Sequence, residues 1–273
     1  HLKPALYVFA LNVIISIYLQ LNNVLLGFMK DTEAVGYFTA ATKIMVITMS
    51  ISSALGAVIM PRTSNLIAEE RMDEFKALVQ KSYDFIFALA MPLMVGLIFT
   101  SPSAVLLLSG EGFVPAILTS QIVAFNILTV GLSGVMGIQV LYPLGKINIV
   151  ILCTSIGAII NVFLNVLLIP RYGHNGTAVA YMLAEMTVMV SMFFIGKRYI
   201  PIRFLKRQHL NYVLGSVVMG VCLYFISWLG LGNTATLVMM ISMGGIVNVV
   251  ILLFLRDSIG MIPWKILREK FGK

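Results

Sequence analysis

Charge is scarce in this sequence. Only 11% of its 273 residues are Asp, Glu, Lys or Arg, against roughly 25% in an ordinary soluble domain. Cysteine is nearly absent too. Cys153 and Cys222 both fall inside apolar stretches, so no disulfide framework or thiolate metal spacing can be assembled. The three histidines, His1, His174 and His209, all lie outside those stretches. There is no paired-carboxylate motif, no G-x-S-x-G, and no phosphate-cradling Gly-rich loop followed by Lys. Long polar loops are missing as well, which excludes a large extracytoplasmic catalytic domain. The chain therefore reads as a non-enzyme, with no catalytic residue, metal site or organic cofactor.

Apolar sequence fills the chain instead, at 59% of residues. A helix crossing a bilayer needs ~20 mostly apolar residues. Eight stretches meet that length, at about 4–28, 36–60, 83–101, 116–142, 148–170, 176–196, 210–230 and 234–255. The first is too long for a cleavable signal peptide and lacks a small-residue cleavage site. After the third, Pro102–Ser109 leaves room for a short re-entrant piece. The expected fold class is all-α: a polytopic helical membrane protein with about eight transmembrane helices.

The net charge of +8 invites a nucleic-acid partner, but its distribution argues against one. Sixteen of the nineteen basic residues lie before the first stretch or after the second, fourth, sixth and eighth, so on one side. Lys30 and Arg171 lie opposite, and Lys43 is inside a stretch. This is the positive-inside bias. It places the basic side, and both ends of the chain, in the cytoplasm, with contact to anionic membrane lipids. Two basic-side segments look interfacial. Within 62–82, Ala68, Met72, Phe75 and Val79 recur at helical spacing, which predicts an amphipathic helix on the membrane face. Lys197–His209 alternates charge with Ile200, Ile202 and Phe204.

Polar side chains inside hydrocarbon need a partner helix or a wet cavity. Asn12, Ser16, Gln20 and Asn23 form one stripe along the first span, with Asn22 beside it. Thr39, Lys43 and Ser50 share a face of the second. Asn126, Thr129 and Ser133 align in the fourth, Thr154, Asn161 and Asn165 in the fifth, and Thr177, Tyr181 and Glu185 in the sixth. Hydrogen bonding between helices accounts for a single Asn or Ser, aided by small residues such as Gly56 and Gly157. Lys43 and Glu185 are different, because an unpaired charge in the bilayer costs at least ~2.5 kcal/mol. Either they pair with each other, or Lys43 faces a cavity and attracts an anion such as phosphate or pyrophosphate. Glu185 reads as the only deep carboxylate. Pro92 and the glycines 131, 134 and 137 are candidate kinks.

Four segments together resemble the oligosaccharide (Wzx-type) flippases of the MOP exporter superfamily, which also holds the lipid II flippase and MATE drug exporters. They are LNNVLLGFMKDTEAVGYFTAATKI (21–44), IMPRTS (59–64), YPLGK (142–146) and IINVFLNVLLIPRYGHNGTAVAYMLAE (159–185). The resemblance implies a MATE-like, lipid II flippase-like C-terminal lobe of six helices over 1–199, plus two additional helices and a tail over 200–273. It also implies a preceding lobe as partner. The implied activity is the flipping of undecaprenyl-pyrophosphate-linked oligosaccharide across the bacterial inner membrane by alternating access, beside a polysaccharide polymerase complex. Lys43 stands where the family carries a cavity cation, and Asn12, Gln20 and Asn126 are its companion substrate-binding candidates. Asn22, Asn161, Asn165 and Thr177 match a sodium-site region of some relatives. Asn stands here where carboxylates occur there, and neutral oxygens hold a cation more weakly. Glu185 is then the candidate to carry a proton, so the coupling cation is H+ or Na+. A MATE-type drug exporter predicts an acidic cavity instead. A polymerase or ligase calls for a long outer loop with Arg or His.

Overall fold

The computed structural model describes residues 20–204 and 206–254, side chains of 51–55 excepted. All regular structure among them is helical. Helix α1 is described over residues 20–29. Asp31 then caps α2 (Thr32–Ala68), its carboxylate accepting the Ala34 N–H at 2.7 Å. Glu33 in the first turn complements the helix dipole.

Helix α3 runs Met72–Ser109. Phe75, Val79, Tyr83, Ile86, Ala90, Met94 and Leu97 are buried along it at steps of three and four, one continuous core-facing stripe. With 37 and 38 residues at about 1.5 Å per residue, α2 and α3 far exceed the ~30 Å of a hydrocarbon core. Their joint end projects beyond it. The amphipathic segment at 62–82 is therefore no separate helix. Its first part is the end of α2, its last part the start of α3, and between them the chain turns at Glu69–Arg71, with Glu70 at φ 58°. The periodicity was real, but Phe75 and Val79 face the protein core instead of lipid headgroups. The re-entrant piece at Pro102–Ser109 is also absent, since α3 passes through Pro92 and Pro102 to a stop at Gly110.

The fourth stretch is continuous but irregular, with helical backbone through Ala124 and Phe125. It forms α4 (Ala116–Val123), α5 (Asn126–Gly134) and a π-helical segment, Val135–Leu141. Inside that segment Gln139 is buried and accepts a 2.6 Å hydrogen bond from Ser82 of α3. Helix α6 spans Ile147–Gly196 but is two crossings, because Gly173 (φ 54°, ψ −132°) breaks it. The halves fold back on each other. Leu168 abuts Gly176, and a Cβ built on Gly157 would lie 2.3 Å from Val188. Cys153 meets Ser191.

Helices α7 (Arg207–Ser227) and α8 (Asn233–Phe254) pack together and against α3, with Met219, Leu223, Ile226 and Met240 as their shared core. Two larger cores stack along the main bundle. One gathers Leu26, Phe38, Leu97, Val105 and Ile169, and the other Phe75, Val79, Val140, Val150 and Ile200. Met72–Ser109, Ala116–Leu141, Ile147–Gly196, Arg207–Ser227 and Asn233–Phe254 are long and apolar enough to cross a membrane, and α2 carries the second apolar stretch. The chain is a multi-pass membrane protein.

Candidate functional site

On α2 the residues flanking Lys43 in sequence divide by face. Phe38, Ala41, Ile44 and Met45 are buried in the bundle, whereas Lys43, Val46 and Ile47 are exposed. Lys43 forms a ridge between two half-open cavities. One, about 390 Å³, is lined by Gln20, Asn22, Asn23, Thr42, Lys43 and Tyr181 among others. The other, about 530 Å³, includes Gly36, Thr39, Lys43, Ile47, Leu108 and Phe113. Among the described residues no carboxylate forms an ion pair with Lys43. The pairing of Lys43 with Glu185 is therefore not formed, and Lys43 borders the two cavities instead. Thr39 donates a long 3.4 Å hydrogen bond to Asn23 across the site. Gln20 shares the first cavity with Lys43. Asn126 does not line either one: it is wholly buried, and neither amide atom has a hydrogen-bond partner among the described residues. Asn12 lies outside the described residues.

A second polar group sits deeper. Asn22 of α1 and Asn161 and Asn165 of α6 are all essentially solvent-free. The Asn165 Nδ2 amide donates toward Asn22 Oδ1 at 2.9 Å, the Asn161 carbonyl at 3.0 Å and Asn161 Oδ1 at 3.1 Å. Two N–H groups thus serve three oxygens, while Asn165 Oδ1 and Asn161 Nδ2 have no hydrogen-bond partner among the described residues. Buried polar atoms without partners are rare. The Asn165 amino group occupies the centre of an oxygen cluster, where a small cation would sit if the amide turned over and offered Oδ1. The donors are oxygen only and neutral, which suits a hard, weakly held cation. Thr177 is buried and donates back to the Gly173 carbonyl at 3.5 Å. Glu185 is buried one turn after Tyr181. Among the described residues no cluster of His, Cys, Asp or Glu has metal-binding geometry.

Two further clusters were not read from the sequence. At one end of α3, Asp84 is buried, so Glu185 is not the only deep carboxylate. Lys206 donates to Asp84 Oδ2 at 2.7 Å, and Gln80 and His209 reach Oδ1 at 2.8 and 3.0 Å. His209 is 2% exposed and stacks on Phe87 at 4.7 Å, so it is a core residue of α7 and not part of an interfacial loop. Its Nδ1 lies 3.0 Å from the Phe204 carbonyl and 3.2 Å from the Lys206 N–H, so Nδ1 finds a backbone partner in either tautomer. The only sequence sign was a carboxylate at the edge of an apolar stretch. Two of its three partners, Lys206 and His209, lie more than 120 residues away.

At the other end, His174 follows the Gly173 break. The Thr119 hydroxyl donates to Asn175 Oδ1 at 2.7 Å, so Thr119 Oγ1 accepts from His174 Nδ1, also at 2.7 Å. The His174 ring meets Tyr37 edge-on, and the Tyr37 hydroxyl donates to Glu33. Burial pushes the His174 imidazole below its ordinary value, partly offset by Asn175 and Asp31. On the opposite, α2–α3 turn, the Arg71 guanidinium holds Glu74 below the usual carboxylate range.

Residues 2–118 match the model of a family described as polysaccharide biosynthesis protein. The probable low-salt glycan biosynthesis flippase Agl15 of Haloferax volcanii is 24% identical over 163 residues, covering 60% of this chain and 34% of that protein. Among solved structures, the lipid II flippase MurJ in an inward closed conformation superposes with a TM-score of 0.77 at 16% identity, covering 90% of this chain and 52% of that one. A MOP superfamily transporter from Pyrococcus furiosus, described as having a binding pocket of reversed polarity, gives 0.63 at 16%, covering 90% and 60%. The chain spans about a third of the curated relative and just over half of each solved structure. Its fold is similar to those of the lipid II flippase and of a MOP superfamily transporter, and residues 2–118 match the polysaccharide biosynthesis protein model.

Proposed function

We propose that this chain is the cation-bearing lobe of a flippase for lipid-linked oligosaccharide, carrying undecaprenyl-pyrophosphate glycans across the bacterial inner membrane. One observation carries the reading: Lys43 is exposed between two open cavities on a largely apolar helix face, with no described carboxylate paired to it. A compact ammonium in a low-dielectric setting selects an anion. The pyrophosphate is the anionic part of such a lipid, and the polar wall of Gln20, Asn22 and Asn23 beside Lys43 offers partners for hydroxyl-rich cargo. A second lobe facing Lys43 would close the cavities alternately toward each side. The positive-inside bias puts both ends of this chain in the cytoplasm.

Coupling to a cation fits the oxygen cluster of Asn22, Asn161 and Asn165. A bound Na+ would take the place of the Asn165 amino group, drawing α1 and the first half of α6 together. The runner-up carrier is a proton on Glu185. Both hold the coupling ion in the same lobe as Lys43.

The test is complementation of a strain lacking its oligosaccharide flippase. Lys43→Ala should abolish surface glycan, while Lys43→Arg retains part of it, with membrane levels of both variants unchanged. Full activity of the Ala variant would remove Lys43 from the mechanism. A MATE-type exporter reading expects cationic cargo, which the exposed ammonium repels; dye efflux lost on deletion of the protein would favour it.

A further inference from the structure

The larger cavity beside Lys43 has a second end that the pyrophosphate does not use. It follows α2 from Lys43 past Thr39 and Ala40 to Gly36, and is closed by Leu108, Ser109 and Phe113 from the junction of α3 and α4. Gly36 and Lys43 are two helical turns apart, about 10 Å along the axis. Beyond a pyrophosphate held at Lys43, that leaves room for a sugar ring. Phe113 is half-buried, and Tyr37 holds its ring edge-on, with centroids 5.6 Å apart and planes at 88°. Tyr37 is in turn fixed by Glu33 and by the His174 ring. A side chain at Gly36 would enter the cavity, since its Cβ would stand 3.8 Å from Phe113 Cε1. The Lys43 ammonium stands at one end of the groove and the Phe113 ring at the other.

We infer that this groove is the sugar subsite of the carrier: the first pyranose after the pyrophosphate lies against the Phe113 ring, and Phe113 and Gly36 set which glycan is accepted. The inference rests on the pyrophosphate reading of Lys43. A pyranose presents an apolar C–H face to an aromatic ring and hydroxyls to its rim, where Thr39 and Ser109 stand.

The experiment measures binding to the purified full chain of two probes: a short polyprenyl pyrophosphate, and the same lipid bearing one neutral hexose. Phe113→Leu should weaken the hexose probe about fivefold, the size of one aromatic contact, and leave the bare pyrophosphate unchanged. Gly36→Val should do the same by filling the groove, and Phe113→Trp should keep the wild-type preference. Lys43→Gln should weaken both probes equally. If Phe113→Leu and Gly36→Val alter both probes alike, or neither, the sugar subsite is overturned. If Lys43→Gln leaves both probes untouched, the pyrophosphate reading fails, whatever the Phe113 variants do.

Discussion

A single missing methyl group at Gly157 lets two membrane crossings touch. A Cβ there would lie 2.3 Å from Val188 Cγ2 and 3.2 Å from the Ala184 carbonyl. Valine is short and cannot swing away, so Gly157→Val forces the two halves of α6 apart. Overpacking of this kind costs about 1–3 kcal/mol. A lowered thermal midpoint in detergent is expected, partly restored by adding Val188→Ala. No rescue would place the strain on the backbone. His174 gives a residue-scale prediction of different sign. Burial depresses its folded pKa, so the unfolded chain takes up a proton first as pH falls. Its stabilisation is therefore intact above the ordinary histidine value of ~6.5, falls as pH drops below it, and levels off beneath the folded value. Thermal midpoints should decline from neutral pH to about pH 5, with a shallower decline in His174→Gln; an identical slope would exclude this histidine. Lys43 and Gly157 were legible in sequence because an intramembrane charge and a small residue between apolar ones have few explanations. Asp84 was not, because its meaning lies in residues brought from more than 120 positions away.

Among the elements, the connection from α6 to α7 is held by side chains more than by helix packing. Asp84 gathers Lys206, His209 and Gln80, and Gln80 also accepts the Arg203 N–H at 2.7 Å. Removing one partner of such a buried pair strands the others, at about 3–5 kcal/mol. Lys206 keeps some water, so Asp84→Ala should fall near about 3 kcal/mol. The damage should be local. Limited proteolysis is expected to open the 197–206 connection in Asp84→Ala while the α2–α3 turn stays resistant, and equal cleavage at both would contradict a local tether. Apolar length made the helices legible, and most described spans begin and end within a few residues of the sequence reading. The exceptions share one cause. Hydropathy marks where the membrane is, not where a helix stops, so α2 and α3 run on as one hairpin through 62–82. It is equally blind to geometry within a span: the π-helical segment Val135–Leu141 follows Gly131 and Gly134 and contains Gly137, glycines that only suggested a kink.

For the whole molecule, the buried asparagine cluster and the cavity beside Lys43 adjoin each other. Asn22 belongs to both regions, lining the first cavity and accepting from Asn165. Were a cation to bind in the cluster, Asn22, Asn161 and Asn165 would hold it, and Asn22 would link it to the wall facing Lys43. Linkage then requires reciprocity: the factor by which the cation tightens binding of a polyprenyl pyrophosphate equals the factor by which the lipid tightens cation binding. Couplings of this type amount to roughly 1–3 kcal/mol. Sodium should therefore raise the thermal midpoint of the wild-type chain and lower the Kd for the lipid. Asn165→Ala should erase both effects while leaving lipid affinity without sodium close to wild type. Asn165→Asp adds the carboxylate this cluster lacks, and should tighten sodium and strengthen the coupling. A lipid affinity indifferent to sodium in all three proteins would remove the asparagines from the transport cycle. Glu185→Gln would then become the informative variant, with pH in place of sodium as the variable.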